Sequence, residues 1–293
     1  MQHLPHALHT STPVFRDHRV WLRLASSQRP YWQRGFRLPG NRLLPALRLD
    51  AYFALVGAAQ TGLLRPQLLT RHGRLLTMNY RCKGDIALIS LVRAHHGLPP
   101  PITAALLYQL SHLVRLLHAR GLAHGCLHPS SMVIRAGRVH LMDGGIFGPK
   151  GLPFAWHQQL WHSGRAYFPV LPDSGARAMG QADLYMLGRA LEFMAFGRAG
   201  PARHGCLADR LNQQAGLMAP SGRPRMAGPL ADIRDRCLTG GYASARQLAA
   251  ACRGTRFYLQ RQPWEAALFR RIMAVTRQMI IQPQAYGEKG MEG

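Results

Sequence analysis

Along PITAALLYQLSHLVRLLHARG (101–121) leucines stand at 106, 110, 113, 116 and 117, intervals of three and four that place one apolar stripe on a helix, and Gly121 supplies its stop. The same period predicts a helix over LLPALRLDAYFALVGA (43–58). QADLYMLGRALEFMAFG (181–197) is apolar nearly all round, the pattern of a helix enclosed by neighbours, and ASARQLAAACR (243–253) predicts a short helix near the end. Elsewhere the pattern turns to strands. VWLRLA (20–25) and GRLLTMNYR (73–81) read as strands, and MVIRAGRVHLMD (132–143) as a hairpin of two apolar strands around Ala136-Gly137. A short sheet with one helix, followed by a mainly helical region, is the expected order.

The chain of 293 residues carries 47% hydrophobic residues, enough for a substantial core, and neither a repeat of fixed period nor a low-complexity block breaks it. No apolar run reaches the length of a membrane span, and MQHLPHALHTSTPVFRDHR lacks the pattern of a signal peptide. A soluble, cytoplasmic protein is expected, with a peripheral place on the inner membrane face as its variant. Cys82, Cys126, Cys206, Cys237 and Cys252 lie far apart without a CxxC pair, so free thiols are expected rather than disulfides or a structural metal.

Charge changes the picture most. Against 37 basic residues stand 13 acidic ones, a net charge of +24, and only Lys83, Lys150 and Lys289 are lysines. A GC-rich genome explains arginine in place of lysine, but not the shortage of carboxylates. The surplus implies an anionic partner: an acidic protein, a phosphorylated glycan, an anionic membrane surface or nucleic acid.

Four stretches carry a resemblance: LLHARGLAHGCLHPSSMVI (116–134), VHLMDGG (139–145), ADLYMLGRALEFMAFGR (182–198) and RCLTGGYASARQL (236–248). Their order resembles the large lobe of the protein-kinase-like superfamily, as a degenerate, bacterial-looking member. The implied architecture is α+β and bilobal, with a reduced, arginine-rich small lobe over 1–79, a mainly helical large lobe over 80–253, and a basic tail over 254–293 bearing one helix. MNYRCKGD (78–85) resembles the hinge between lobes. His124 resembles the loop histidine that packs on the metal-binding turn. Asp183 resembles the aspartate that accepts backbone N–H bonds from the catalytic loop, and Gly188 the small residue that permits close packing.

Phosphoryl transfer in this superfamily needs a glycine-rich cover for the phosphates, a lysine paired with a glutamate, a base and magnesium ligands. No glycine precedes Gly35, no lysine precedes Lys83, and the first glutamate is Glu192. The resemblance assigns the cation's place to Arg23, whose planar fork differs in reach from a lysine, and leaves Asp50 as its acidic partner. At the base position stands Cys126, a thiol with a pKa near 8.5 against about 4 for a carboxylate. Ser131 takes the place of the metal-binding asparagine as a weak ligand. Asp143 alone retains the metal-binding carboxylate, in Asp143-Gly144-Gly145. ATP and magnesium are expected to bind weakly at most.

Eight arginines between 16 and 48 interleave with Phe15, Trp21, Tyr31, Trp32 and Phe36, a composition suited to phosphates and to stacking. In the tail, Trp264, Leu268, Ile272, Val275 and Met279 share one helical face over 263–281. Such a face packs on its own domain or a partner, or lies on an anionic membrane. The expected function is that of a pseudokinase, a catalytically impaired protein acting as a regulator or adaptor through a basic surface. Its alternatives are an atypical ATP-dependent phosphotransferase acting on a small molecule, a lipopolysaccharide sugar or a protein, with His128 as base, and a nucleic-acid-binding module.

Overall fold

The computed structural model describes residues 11–17, 19–25, 30–39, 52–54, 62–147, 152, 156–160, 167–169, 176–197, 226, 228–259 and 274. Its strands are β1 (Ser11–Asp17), β2 (Val20–Ala25), β3 (Tyr31–Arg37), β4 (Leu68–His72), β5 (Leu75–Arg81), β6 (Ile86–Ala87), β7 (Met132–Arg135) and β8 (Arg138–Leu141). Its helices are α1 (Leu88–Ala94), α2 (Pro100–His118), α3 (His157–Leu160), α4 (Ala176–Phe196), α5 (Pro229–Leu238) and α6 (Ala245–Leu259), with a 3-10 turn at Pro129–Ser131.

The first five strands form one antiparallel sheet in the order β1-β2-β3-β5-β4. Alternation decides its two faces. Val20, Leu22, Trp32, Phe36, Leu76, Met78 and Tyr80 are buried on the inner one, and Arg34 shares their face. At the end of β5 the chain passes into the second region, where Asp85 receives Arg135 Nε at 2.7 Å and Nη2 at 2.8 Å. This bidentate pair fixes the start of β6 to β7, its neighbour in the small sheet β6-β7-β8.

Prolines open α2, where a missing N–H costs no helical bond, and Arg115 and His118 close it on the side of the helix dipole that favours positive charge. Ala136 and Gly137 both take left-handed φ angles, 47° and 76°, so β7 and β8 close as a two-residue hairpin. Helix α4 runs through the large region against α2 and α5. A Cβ on Gly188 would lie 2.8 Å from Cys237 Cβ, so the absence of a side chain there sets how closely α4 and α5 approach. The core is continuous from the sheet to α6.

Several elements differ in extent from the expectation. The stretches at 11–17, 31–37, 68–72, 88–94 and 229–238 form elements that the pattern did not single out, and α6 continues to Leu259. The helix expected at 43–58 is described only at 52–54, where the backbone is helical. The tail helix expected at 263–281 lies outside the described residues except for Ala274. Among the described residues no helix is long and apolar enough to cross a membrane.

Candidate functional site

The loop from His124 to Ser131 is held by its own polar groups and by one carboxylate beneath it. Asp183, fully buried on α4, accepts from His124 N at 2.8 Å and Gly125 N at 2.9 Å, and its Oδ2 lies 3.0 Å from His118 Nε2. Gly125 has φ +76°, and a Cβ there would meet Phe147 O at 2.8 Å, which explains a glycine inside the loop. His124 Nδ1 accepts from Cys126 N at 3.2 Å.

Burial pushes the His124 imidazole down to about 4, partly opposed by the charge of Asp183. It is therefore neutral in the fold while an unfolded chain protonates near 6.5. Stability from this group is fully present above pH 6.5 and is lost as pH falls toward 4, by up to about 1.4 kcal/mol per unit. Urea titrations from pH 7 to 4 should show the wild type losing about 3 kcal/mol more than His124→Asn, which has no proton to take up. Parallel curves would refute this assignment.

Above the loop, at the end of β8, Asp143 forms the centre of a buried cluster. Its Oδ2 accepts from Arg34 Nε at 2.9 Å and its Oδ1 from the Tyr80 hydroxyl at 3.1 Å, while its own backbone N–H donates to that hydroxyl at 3.0 Å. Neither Arg34 nor Asp143 has side-chain exposure. Burial raises the Asp143 carboxyl above its ordinary value, with Arg34 and Tyr80 pulling it back. Asp143 takes φ +66°, a region that short polar side chains tolerate. The next two glycines make room for Tyr52: a Cβ on Gly145 would lie 2.5 Å from its ring and one on Gly144 3.0 Å from its hydroxyl.

The other residues singled out in the sequence fall as follows. Cys126 is wholly buried, and its thiol is pushed well up by burial and the charge of Asp143, so it is neither thiolate nor accessible. Ser131 turns its hydroxyl onto the backbone, 2.7 Å from both Cys126 O and His128 O, and accepts from His128 N at 3.2 Å. It therefore caps the turn and does not reach toward a metal. His128 Nδ1 accepts from Ser130 N at 3.1 Å, and its ring sits among Phe15, Tyr167 and Phe168 with centroids at 5.5, 4.4 and 6.1 Å. Such an enclosure gives no approach to a substrate hydroxyl.

Arg23 requires a correction. It is exposed on the outer face of β2, its guanidinium 5.8 Å from the Trp21 ring, and the buried cation at the site is Arg34 of β3. The parity of β2 is the cause: Leu22 faces the core, so Arg23 cannot. Asp50 lies outside the described residues. Arg34, Tyr80 and Tyr52 are the site residues that the sequence reading missed.

Magnesium does not fit at Asp143 with the side chains as they stand. A cation at Asp143 would share the carboxylate with a guanidinium 2.9 Å away, and neither Ser131 nor Cys126 offers a second ligand. Among the described residues no group of His, Cys, Asp and Glu has the makings of a metal site.

No family model and no curated protein matches this chain. Solved structures do. A mutant form of the PAN3 pseudokinase of Neurospora crassa is similar over 98% of this chain and 75% of that one, with a TM-score of 0.53 at 14% identity. The likeness is one of fold: an antiparallel sheet in the amino-terminal part and a helical carboxy-terminal part give this chain a kinase-like bilobal architecture.

Proposed function

We propose that this chain uses a kinase-like scaffold for binding and regulation, as a pseudokinase or adaptor, and not for phosphoryl transfer. One observation carries the reading. The carboxylate that would hold magnesium is taken by Arg34 and Tyr80 inside a buried cluster, with an inaccessible thiol beside it where a base belongs. Dismantling such a cluster for each nucleotide would expose two charges that now neutralise each other. The kinase-like fold and the pseudokinase among its structural neighbours support the reading at the level of architecture.

The expected outcome of a thermal-shift titration with ATP and magnesium is an unchanged midpoint. A ligand confined to the folded state would add about 2.7 kcal/mol at a hundred times its dissociation constant. The decisive companion is radiolabelled ATP: sustained turnover by the purified protein that Asp143→Ala abolishes would overturn the proposal.

A further inference from the structure

The outer face of the five-stranded sheet is built differently from the rest of the small lobe. Register places its residues in rows. Arg16 stands opposite Trp21, and Trp21 opposite Gly35. In the next row Arg23, Gln33 and Asn79 follow one another, and in the third Tyr31 stands opposite Arg81. Arg37 ends the same face of β3. Arg16, Arg23, Arg37 and Arg81 are exposed, and among the described residues none of the four pairs with a carboxylate. No acid stands at any outward position of the five strands.

The aromatic residues lie within this basic field. Trp21 rests flat on the sheet: a Cβ on Gly35 would sit 2.1 Å from the indole Cε2 and Cζ2, so glycine at 35 is what lets the ring lie down. Arg23 reaches back over that ring. Tyr31 lies two rows away on the neighbouring strand, and consecutive rows are about 7 Å apart. Between the two rings Gln33 Nε2 and Asn79 Oδ1 stand 3.5 Å apart, half-exposed amides with donors and acceptors to spare.

We propose that this face binds single-stranded nucleic acid: Tyr31 stacks on one base, Trp21 stacks on another as Arg23 moves off its ring onto a phosphate, Gln33 and Asn79 meet base edges, and Arg16, Arg37 and Arg81 hold further phosphates. It deepens the proposed binding role by naming the partner. The geometry favours this partner over other polyanions for stated reasons. The major groove admits at most a two-stranded ribbon, and these residues are spread over four neighbouring strands, a breadth that suits a platform for splayed, unpaired bases. The Trp21 ring, laid on Gly35, provides no protruding anchor for a bilayer, and burying the amide pair in lipid would strand its polar groups.

The test is fluorescence anisotropy with a labelled single strand of about 16 nucleotides, read from about 50 to 200 mM salt. Arg16→Gln/Arg23→Gln/Arg81→Gln should weaken binding by about tenfold or more and lower the log–log salt slope by about 2, near 0.7 for each phosphate no longer neutralised. Trp21→Leu and Tyr31→Ser should each weaken binding by about fivefold or more with the slope unchanged, since base stacking contributes about 1–3 kcal/mol per base. Tyr31→Ser is the variant to rely on should Trp21→Leu unfold, and a melt of each variant separates the two cases. The control is Arg120→Gln/Arg246→Gln/Arg253→Gln, exposed arginines of the helical lobe. An equal loss in the control, duplex bound as tightly as single strand, or binding to anionic phosphatidylserine vesicles but not to the oligonucleotide would each overturn the proposal. ATP turnover plays no part in these readouts, so the failure of either proposal is visible without the other.

Discussion

Arg34→Met should cost about 3–5 kcal/mol of folding stability, the range for stripping one partner from a buried ion pair. The loss is so large because of what remains. Asp143 would stay at zero exposure with only Tyr80 on its carboxylate. Arg34→Met/Asp143→Asn should recover most of it, because asparagine tolerates the left-handed φ of +66° and still accepts from the Tyr80 hydroxyl. The pH dependence has a definite sign. With Arg34 gone, nothing opposes the upward push of burial on Asp143 except the Tyr80 hydroxyl, and the folded state binds a proton more readily than the unfolded one. The deficit of Arg34→Met relative to wild type should therefore shrink as pH falls below the raised value. Urea midpoints of the wild type, Arg34→Met, Asp143→Asn and Arg34→Met/Asp143→Asn at two pH values check both claims. A double variant no more stable than the single, or a deficit that grows on acidification, would contradict them.

The fold was legible where the signal was long. A leucine stripe over five helical turns and an enclosed helix of similar length outlast local noise, and between them the hairpin announced itself by Ala136-Gly137. Short pieces escaped. Helix α1 has seven residues, too few for a period to show, and edge strand β4 is exposed on both faces, so LLTRH carries no alternation. At the site, Asp143 was visible as the aspartate ending a hairpin before two glycines, but its partner was not. The resemblance puts the cation in VWLRLA, at Arg23. Parity contained the better signal: YWQRGFR sets Arg34 between Trp32 and Phe36 on one face, and a cation flanked by two core aromatics needs a buried carboxylate. Tyr52 was beyond reach, since nothing local ties a tyrosine to glycines far along the chain.

Asp183→Ala should be comparably damaging for a different reason, since it removes an acceptor and strands donors. Its carboxylate takes the N–H groups of His124 and Gly125, in a loop where both residues are enclosed, and each orphaned buried donor costs about 1–3 kcal/mol. A total of about 3–5 kcal/mol follows once the hydrogen bond to His118 is counted as well. Asp183→Asn keeps one acceptor oxygen and should recover part of the loss. The damage should also be local in a way that packing loss is not. Amide exchange at 124 and 125 should accelerate before that of α2 or α4, because the loop hangs from this carboxylate while the helices are held by their apolar faces. His124 should respond too: the charge of Asp183 helps hold its imidazole up at about 4, so in Asp183→Ala it should resist protonation further, and the acid loss of stability should continue below pH 4, where that of the wild type levels off. Hydrogen-exchange mass spectrometry and urea midpoints at pH 7, 4 and 3 measure these effects. Uniform acceleration across α2 and α4 would mean that Asp183 supports the lobe as a whole and not the turn above it.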